Sequence, residues 1–298
     1  MGGHRSPIIP TAALILAVAA GAGDSAEKVV LRLNLKQGQT FRIALSVRNS
    51  GSASVKNQTY GTTESLNAGL AFRVESVDSE GNARMNVTFE NVSYSLNQPG
   101  APQLGQVMSA FFAGLNGRSF GLEVGPTGEI RSVTGIEAAV DAALTSLANY
   151  PEQVRTLAST FAAQTISEPM WKSAMSTVFS VLPPGPVEVG ERWSRSSSTS
   201  AQGAAETTQF YYKILERADG AAKVKVFADV KSLQREPLPG MRLVLAGRGE
   251  GTAQIDEASG LVIRLSSKSE LRGRVSGAPG QSGELPVAVT STTTISRY

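Results

Sequence analysis

Few side chains in this sequence could carry covalent or acid–base chemistry, and their spacing narrows the set further. His4 is the only histidine among 298 residues, and there is no cysteine. Ser-His-Asp and Cys-His catalysis, thiolate redox chemistry and nearly every zinc site need one or the other. Ser25-Ala26-Glu27-Lys28 has the S-x-x-K spacing of serine–lysine acyl enzymes. No partner motif follows it, and it stands close to the chain start, so the match reads as chance. Carboxylates remain, because glycoside hydrolysis needs only two Asp or Glu side chains at a set separation. Glu137 and Asp141 lie one helical turn apart, and Asp256-Glu257 falls in a turn signal. Neither marks a pair facing a shared cleft, and no run of Asp and Asn has the spacing of a calcium loop. The sequence therefore points to no catalytic residue, no metal ligand and no cofactor.

What remains suits binding. Met108, Phe111 and Phe112 recur at helical spacing, and Trp171, Met175 and Phe179 form a second such stripe. Stripes of this kind are ordinarily core. Otherwise they would line an apolar cavity, where flexible Met side chains suit a lipid-like guest. Gly247, Gly249 and Gly251 continue the alternating row of Met241, Leu243 and Leu245, which resumes at Ala253 and Ile255. Three successive inward positions thus have no side chain. Glycine in a strand marks a sharp bend or close approach by another element. Either a helix or sheet coiling fills this gap, or the gap widens a ligand cavity. As a nucleotide loop the stretch fails, since it is not G-x-G-x-x-G and no helix follows.

Period-2 alternation sets the elements that must position these residues. Val29 to Lys36, Phe41 to Arg48, Leu66 to Val74 and Met85 to Phe89 each alternate apolar and polar residues, as half-buried antiparallel strands do. After Glu90-Asn91 the phase slips to Val92 and Tyr94, which predicts a bulge. The middle turns helical, from Ile136 through Leu147, Val154 through Phe161 and Trp171 through Leu182, with Ser167 placed as an N-cap. Pro183-Pro184-Gly185-Pro186 closes that block. The β blocks on either side look like copies. Gly38-Gln39-Thr40-Phe41 matches Gly190-Glu191-Arg192-Trp193, Phe72-Arg73-Val74 matches Tyr212-Lys213-Ile214, and Gly128-Glu129-Ile130 matches Gly260-Leu261-Val262. The predicted fold is mainly β (α+β): two internally duplicated antiparallel meanders in a curved or barrel-like sheet, with amphipathic helices on one face. Its segments are a leader at 1–22, a first meander at 23–135 with a short helix near 105–115, helices at 136–182, and a second meander at 183–298.

The leader is predicted from a positive start at His4 and Arg5, an apolar run from Ile8 to Ala22, and the small residues Ala20-Gly21-Ala22 at a cleavage site. The run is too short for a comfortable membrane span, and no lipid-anchor cysteine follows it. Export to the periplasm or the medium is expected. With a formal net charge of +3 and scattered Lys and Arg, nucleic acid is not an expected partner. Aromatic residues are 6% of the chain, too few for the two girdles of an outer-membrane barrel.

The stretch from Leu182 to Trp193 resembles the entry motif of uncharacterised secreted bacterial proteins. In these, two β halves flank a helical middle, and P-V-x-V-G-(D/E)-x-W opens the second half; here Pro186, Val187, Val189, Gly190, Glu191 and Trp193 stand at its positions. The likeness covers most of the chain beyond the leader and implies no active site. In outline, a curved antiparallel sheet with helices against its inner face looks like lipoprotein carriers of the LolA and LppX type. That resemblance implies an acyl chain or other lipid in the cavity. The expected function is non-catalytic binding of a lipid or other apolar ligand in the envelope. The alternatives are an adaptor that binds another envelope protein and, last, a carboxylate-dependent cell-wall glycosidase.

Overall fold

The computed structural model describes residues 27–55, 58–98, 102–201, 204–236, 240–277 and 283–298. The leader expected at 1–22, with His4, and Ser25 lie outside them. The described chain runs β1 (Thr40–Val55), β2 (Gln58–Val77), β3 (Ala83–Asn97), α1 (Pro102–Ala113), β4 (Ser119–Val124) and β5 (Ile130–Thr134). Next come α2 (Ile136–Leu144), α3 (Glu152–Thr165) and α4 (Glu168–Phe179). The second half is β6 (Arg192–Ala201), β7 (Ala204–Ala218), β8 (Ala221–Arg235), β9 (Arg242–Asp256), β10 (Val262–Ser276) and β11 (Leu285–Arg297).

All eleven strands form one antiparallel sheet in the order β5-β4-β3-β2-β1-β11-β10-β9-β8-β7-β6. The first meander runs outward from β1, and the second runs inward to β11. The two join where Ile43 lies opposite Arg297 and Ala53 opposite Val287. The sheet is open between its edge strands β5 and β6, and α4 packs against both. The helical block at 136–182 therefore enters at the one place where consecutive strands do not pair.

The halves repeat their strand entries bond for bond. The Lys36 N–H donates to Oε1 of Gln39 and the Glu188 N–H to Oε2 of Glu191, both at 3.0 Å. The Gly38 N–H reaches the Val74 carbonyl and the Gly190 N–H the Ile214 carbonyl, both at 2.9 Å. Phe41 stacks on Phe72 across β1–β2, and Trp193 on Tyr212 across β6–β7. A register shift follows in each half, at Val74/Ser76 and at Ile214/Glu216.

The hairpins at Gly128 (φ 84°) and Gly260 (φ 70°) also correspond. Each is approached closely by backbone of the other half or of the helical block, Gly128 by the end of α4 and Gly260 by the first entry segment. The Phe179 carbonyl lies where a β-carbon on Gly128 would stand, and the Arg32 carbonyl does the same at Gly260. Only glycine tolerates both the left-handed backbone and that approach. The alternating segment at 29–36, expected as a strand, joins no ladder among the described residues. It is fastened by an isolated antiparallel bridge between Val29 and Val187 and by bonds to the turns of both halves, among them Leu33 N–H to the Pro126 carbonyl (2.8 Å) and Asn34 N–H to the Ser259 carbonyl (3.0 Å). The copies drift in spacing because β1 and β2 are longer than β6 and β7, and because α1 separates β3 from β4. β11 follows β10 where the helical block follows β5.

The slip after Glu90 is a bulge. Asn67 lies opposite Ser93 and Gly69 opposite Glu90, so Asn91 and Val92 together face Ala68. Asn91 has φ 52°, a conformation Asn accepts better than most residues. The bulge turns both Phe89 and Val92 inward. Ser167 does occupy the N-cap of α4 but makes no capping bond, and its Oγ is buried without a partner. The first amide of the helix, the Glu168 N–H, is taken by Oε1 of Glu137 at 3.1 Å. No helix among the described residues is long and apolar enough to cross a membrane.

Candidate ligand cavity

The two helical stripes meet in the core of the first half. Met108, Phe111, Phe112, Trp171, Met175 and Phe179 are all buried in one cluster with Leu31, Leu33, Leu35 and the inner rows of β1 to β4. Trp171 packs between Phe89 and Phe120 with ring centroids 5.4 and 5.6 Å away. Phe112 stacks on Tyr94 at 4.6 Å, and Phe179 meets Phe72 edge-on at 6.0 Å. The helices thus fill the concave face of the first half.

The concave face of the second half is filled less completely. Register places Phe210 and Tyr212 of β7, Val226, Ala228 and Val230 of β8, Gly249 of β9, and Ser267 and Ser269 of β10 on its inner side. These residues floor a half-open cavity of about 200 Å³, and Thr177 and Val181, in α4 and just after it, form its wall. None of the six stripe residues borders it, and of the three glycines only Gly249 does. The volume is below the roughly 300–1,000 Å³ of ordinary small-molecule sites.

The glycine row faces inward, as its alternation predicts, but its bareness has a local cause. A β-carbon on Gly247 would run into the Glu270 carbonyl, and one on Gly251 into the Ser266 carbonyl. On Gly249 it would first meet the Ser269 hydroxyl. The β9–β10 pair coils so tightly that backbone of the neighbouring strand occupies the space a side chain would need.

Glu206 supplies the charge on the inner lining. Its Oε1 accepts from the Thr208 hydroxyl at 3.2 Å, and its Oε2 stands 3.8 Å from Nη2 of Arg235. Burial pulls the Arg235 guanidinium below its ordinary pKa, while Glu206 opposes the shift. Burial also pushes the Tyr212 phenol up. Other polar groups are already engaged. Glu64 accepts from Tyr94 (3.0 Å) and Asn49 (2.9 Å), and Arg195 donates to the Leu182 and Thr127 carbonyls. Arg217 holds Glu257, and Arg297 holds Asp256. Among the described residues no group of three or more His, Cys, Asp or Glu side chains could hold a metal ion.

Sequence reasoning missed Val226, Ala228, Glu206 and Arg235. The alternation from Val224 to Val230 announced an inner row. Nothing local says that such a row is covered along its length in one half, while in the other Val224 and Val226 are buried and Ala228 and Val230 are only partly covered.

Fold and cavity together define a class: an open, duplicated antiparallel sheet curled over helices, with a hollow on its second half. The chain belongs to a family of unknown function, DUF6263, whose model matches residues 79–262. The matched span includes the entry motif at Pro186–Trp193. No curated protein matches the chain in a sequence search. One solved structure similar to it is described as lipid–protein interactions in lipovitellin, at 10% identity and a TM-score of 0.43. That match covers 88% of this chain and 25% of the lipovitellin chain, so the chain spans about a quarter of that protein.

Proposed function

We propose that this chain is an exported, non-catalytic envelope protein that holds the apolar part of a ligand in the cavity between α4 and strands β7 to β11. One observation carries the reading: the inner rows of the second half are apolar, yet they end in a half-open hollow instead of packed helix. At about 200 Å³ the hollow takes only part of an amphiphile and leaves a polar head at the mouth. A non-catalytic role draws support from three of the four carboxylates singled out from sequence, since Glu137, Asp256 and Glu257, though not Asp141, each serve a structural hydrogen bond or ion pair. A second reading, an adaptor for another envelope protein, draws on the convex face. There the cross-strand neighbours Tyr211 and Phe227 are 47% and 44% exposed.

Native mass spectrometry before and after organic extraction tests the first reading, using protein purified from its own envelope. A mass excess that extraction removes and that fragments as a lipid is the expected result. Ala228→Phe, which fills the floor, should abolish that excess. A bare wild-type mass overturns tight lipid carriage and turns attention to the Tyr211–Phe227 face.

A further inference from the structure

On the inner row of β8, Val226, Ala228 and Val230 floor the cavity; past a bulge, Leu233 and Arg235 continue the same row toward the rim. Beyond Arg235 opens a second, shallower hollow of about 520 Å³, bordered by Ala204, Gln234, Met241 and Arg242. Glu236 borders it too, its carboxylate accepting the Gly240 N–H at 2.9 Å. The Glu206–Arg235 pair therefore stands on the divide between the apolar hollow and the wider one.

The two inward arginines of this half differ in occupation. Arg195 is committed to two carbonyls, as above. Among the described residues Arg235 gives one hydrogen bond, from Nη1 to the Gln234 carbonyl at 2.9 Å. Its approach to Glu206 is too long to be a hydrogen bond. A guanidinium has five donors in a planar fork that matches the oxygen pair of a carboxylate or phosphate. We infer that Arg235 receives the anionic head of the ligand, which makes the ligand class an anionic amphiphile: a carboxylate or phosphate ester on an apolar chain. The chain lies over Val226–Val230, and the head sits in the second hollow. Glu206 balances Arg235 while the site is empty and competes with the incoming head. This assignment rests on the cavity reading proposed above.

Titration calorimetry of the whole exported protein with two probes of equal chain length, dodecanoate and 1-dodecanol, tests it at a pH where the carboxylate is ionised. Dodecanoate should bind about tenfold more tightly than the alcohol, the scale of one charge-assisted bidentate contact. Arg235→Gln should erase that difference without changing the affinity for dodecanol. Arg235→Lys should restore part of it, and Glu206→Gln should tighten dodecanoate alone. Equal binding of both probes by the wild type, or equal weakening of both by Arg235→Gln, overturns the head-group assignment and leaves the cavity reading standing. Binding of neither probe overturns both. Should Arg235→Gln fail to fold, Glu206→Gln decides, and an unchanged dodecanoate affinity sinks the assignment.

Discussion

Replacing Gly247, Gly249 and Gly251 by alanine, one at a time, separates strand coiling from cavity widening as the reason for a strip without side chains. At Gly247 the added methyl would meet the Glu270 carbonyl, with the Leu271 Cα at 2.9 Å. At Gly251 it would meet the Ser266 carbonyl, with the Ser267 Cα at 2.8 Å. Neither obstacle can yield unless β10 moves, so both variants incur the roughly 1–3 kcal/mol of an overpacked site. At Gly249 the obstacle is the Ser269 hydroxyl, which can turn away, and the next atom is the Lys268 carbonyl at 3.2 Å. Alanine also removes the roughly 0.5–1 kcal/mol that glycine costs inside a strand. Gly249→Ala should therefore fall within about 0.5 kcal/mol of the wild type, given how closely these two terms offset. Urea unfolding followed by the fluorescence of Trp171 and Trp193 gives the ranking, with midpoints compared at equal m. Equal destabilisation by all three changes would refute the reasoning, and so would a neutral Gly247→Ala.

Met175→Ala should destabilise the fold by about 2–5 kcal/mol as a core truncation while leaving dodecanoate affinity unchanged in the folded fraction. A selective loss of binding would instead return the site to the helical stripes. Glu257 is held below its ordinary pKa, chiefly by the hydrogen bond from Arg217. A carboxylate depressed in the fold adds stability that is present above its unfolded value, about 4.3, and is lost as pH falls through the folded one. Acid unfolding below about pH 4 should therefore be shallower in Arg217→Met, whose neutral-pH stability should drop by no more than about 1 kcal/mol. Identical acid profiles would mean that the pair contributes nothing to stability at neutral pH. Protein recovered from the envelope fraction should have an intact mass beginning at Gly23, and an uncleaved chain would contradict export by the expected leader.

The alternating rows of β1 to β3, the bulge at Asn91, the helices around Ile136 and Trp171, and the paired entries at Gly38 and Gly190 were all legible in the sequence. Each is a local pattern in which residue type and spacing act within one element or one turn. The N-cap of α4 was legible in place but not in chemistry. Ser167 makes no capping bond, and the first amide of α4, that of Glu168, is taken by Glu137, which reaches α4 only through the packing of α2 beside it.

By itself the sequence determined that histidine- and thiol-based chemistry has no residues to work with beyond His4, that the chain is mainly strand, and that it is built twice. Composition, hydrophobic period and turn residues decide such things without knowledge of neighbours. The tertiary structure alone decided that the two meanders share one sheet through β1 and β11 and that α4 stands in the open seam. It also decided that the Met and aromatic stripes fill the first half while the hollow lies over the second. Burial belongs to pairs of surfaces. Val230 and Val87 occupy comparable alternating rows, and only the placement of the helices makes Val87 core and leaves Val230 part-buried on the floor of a cavity.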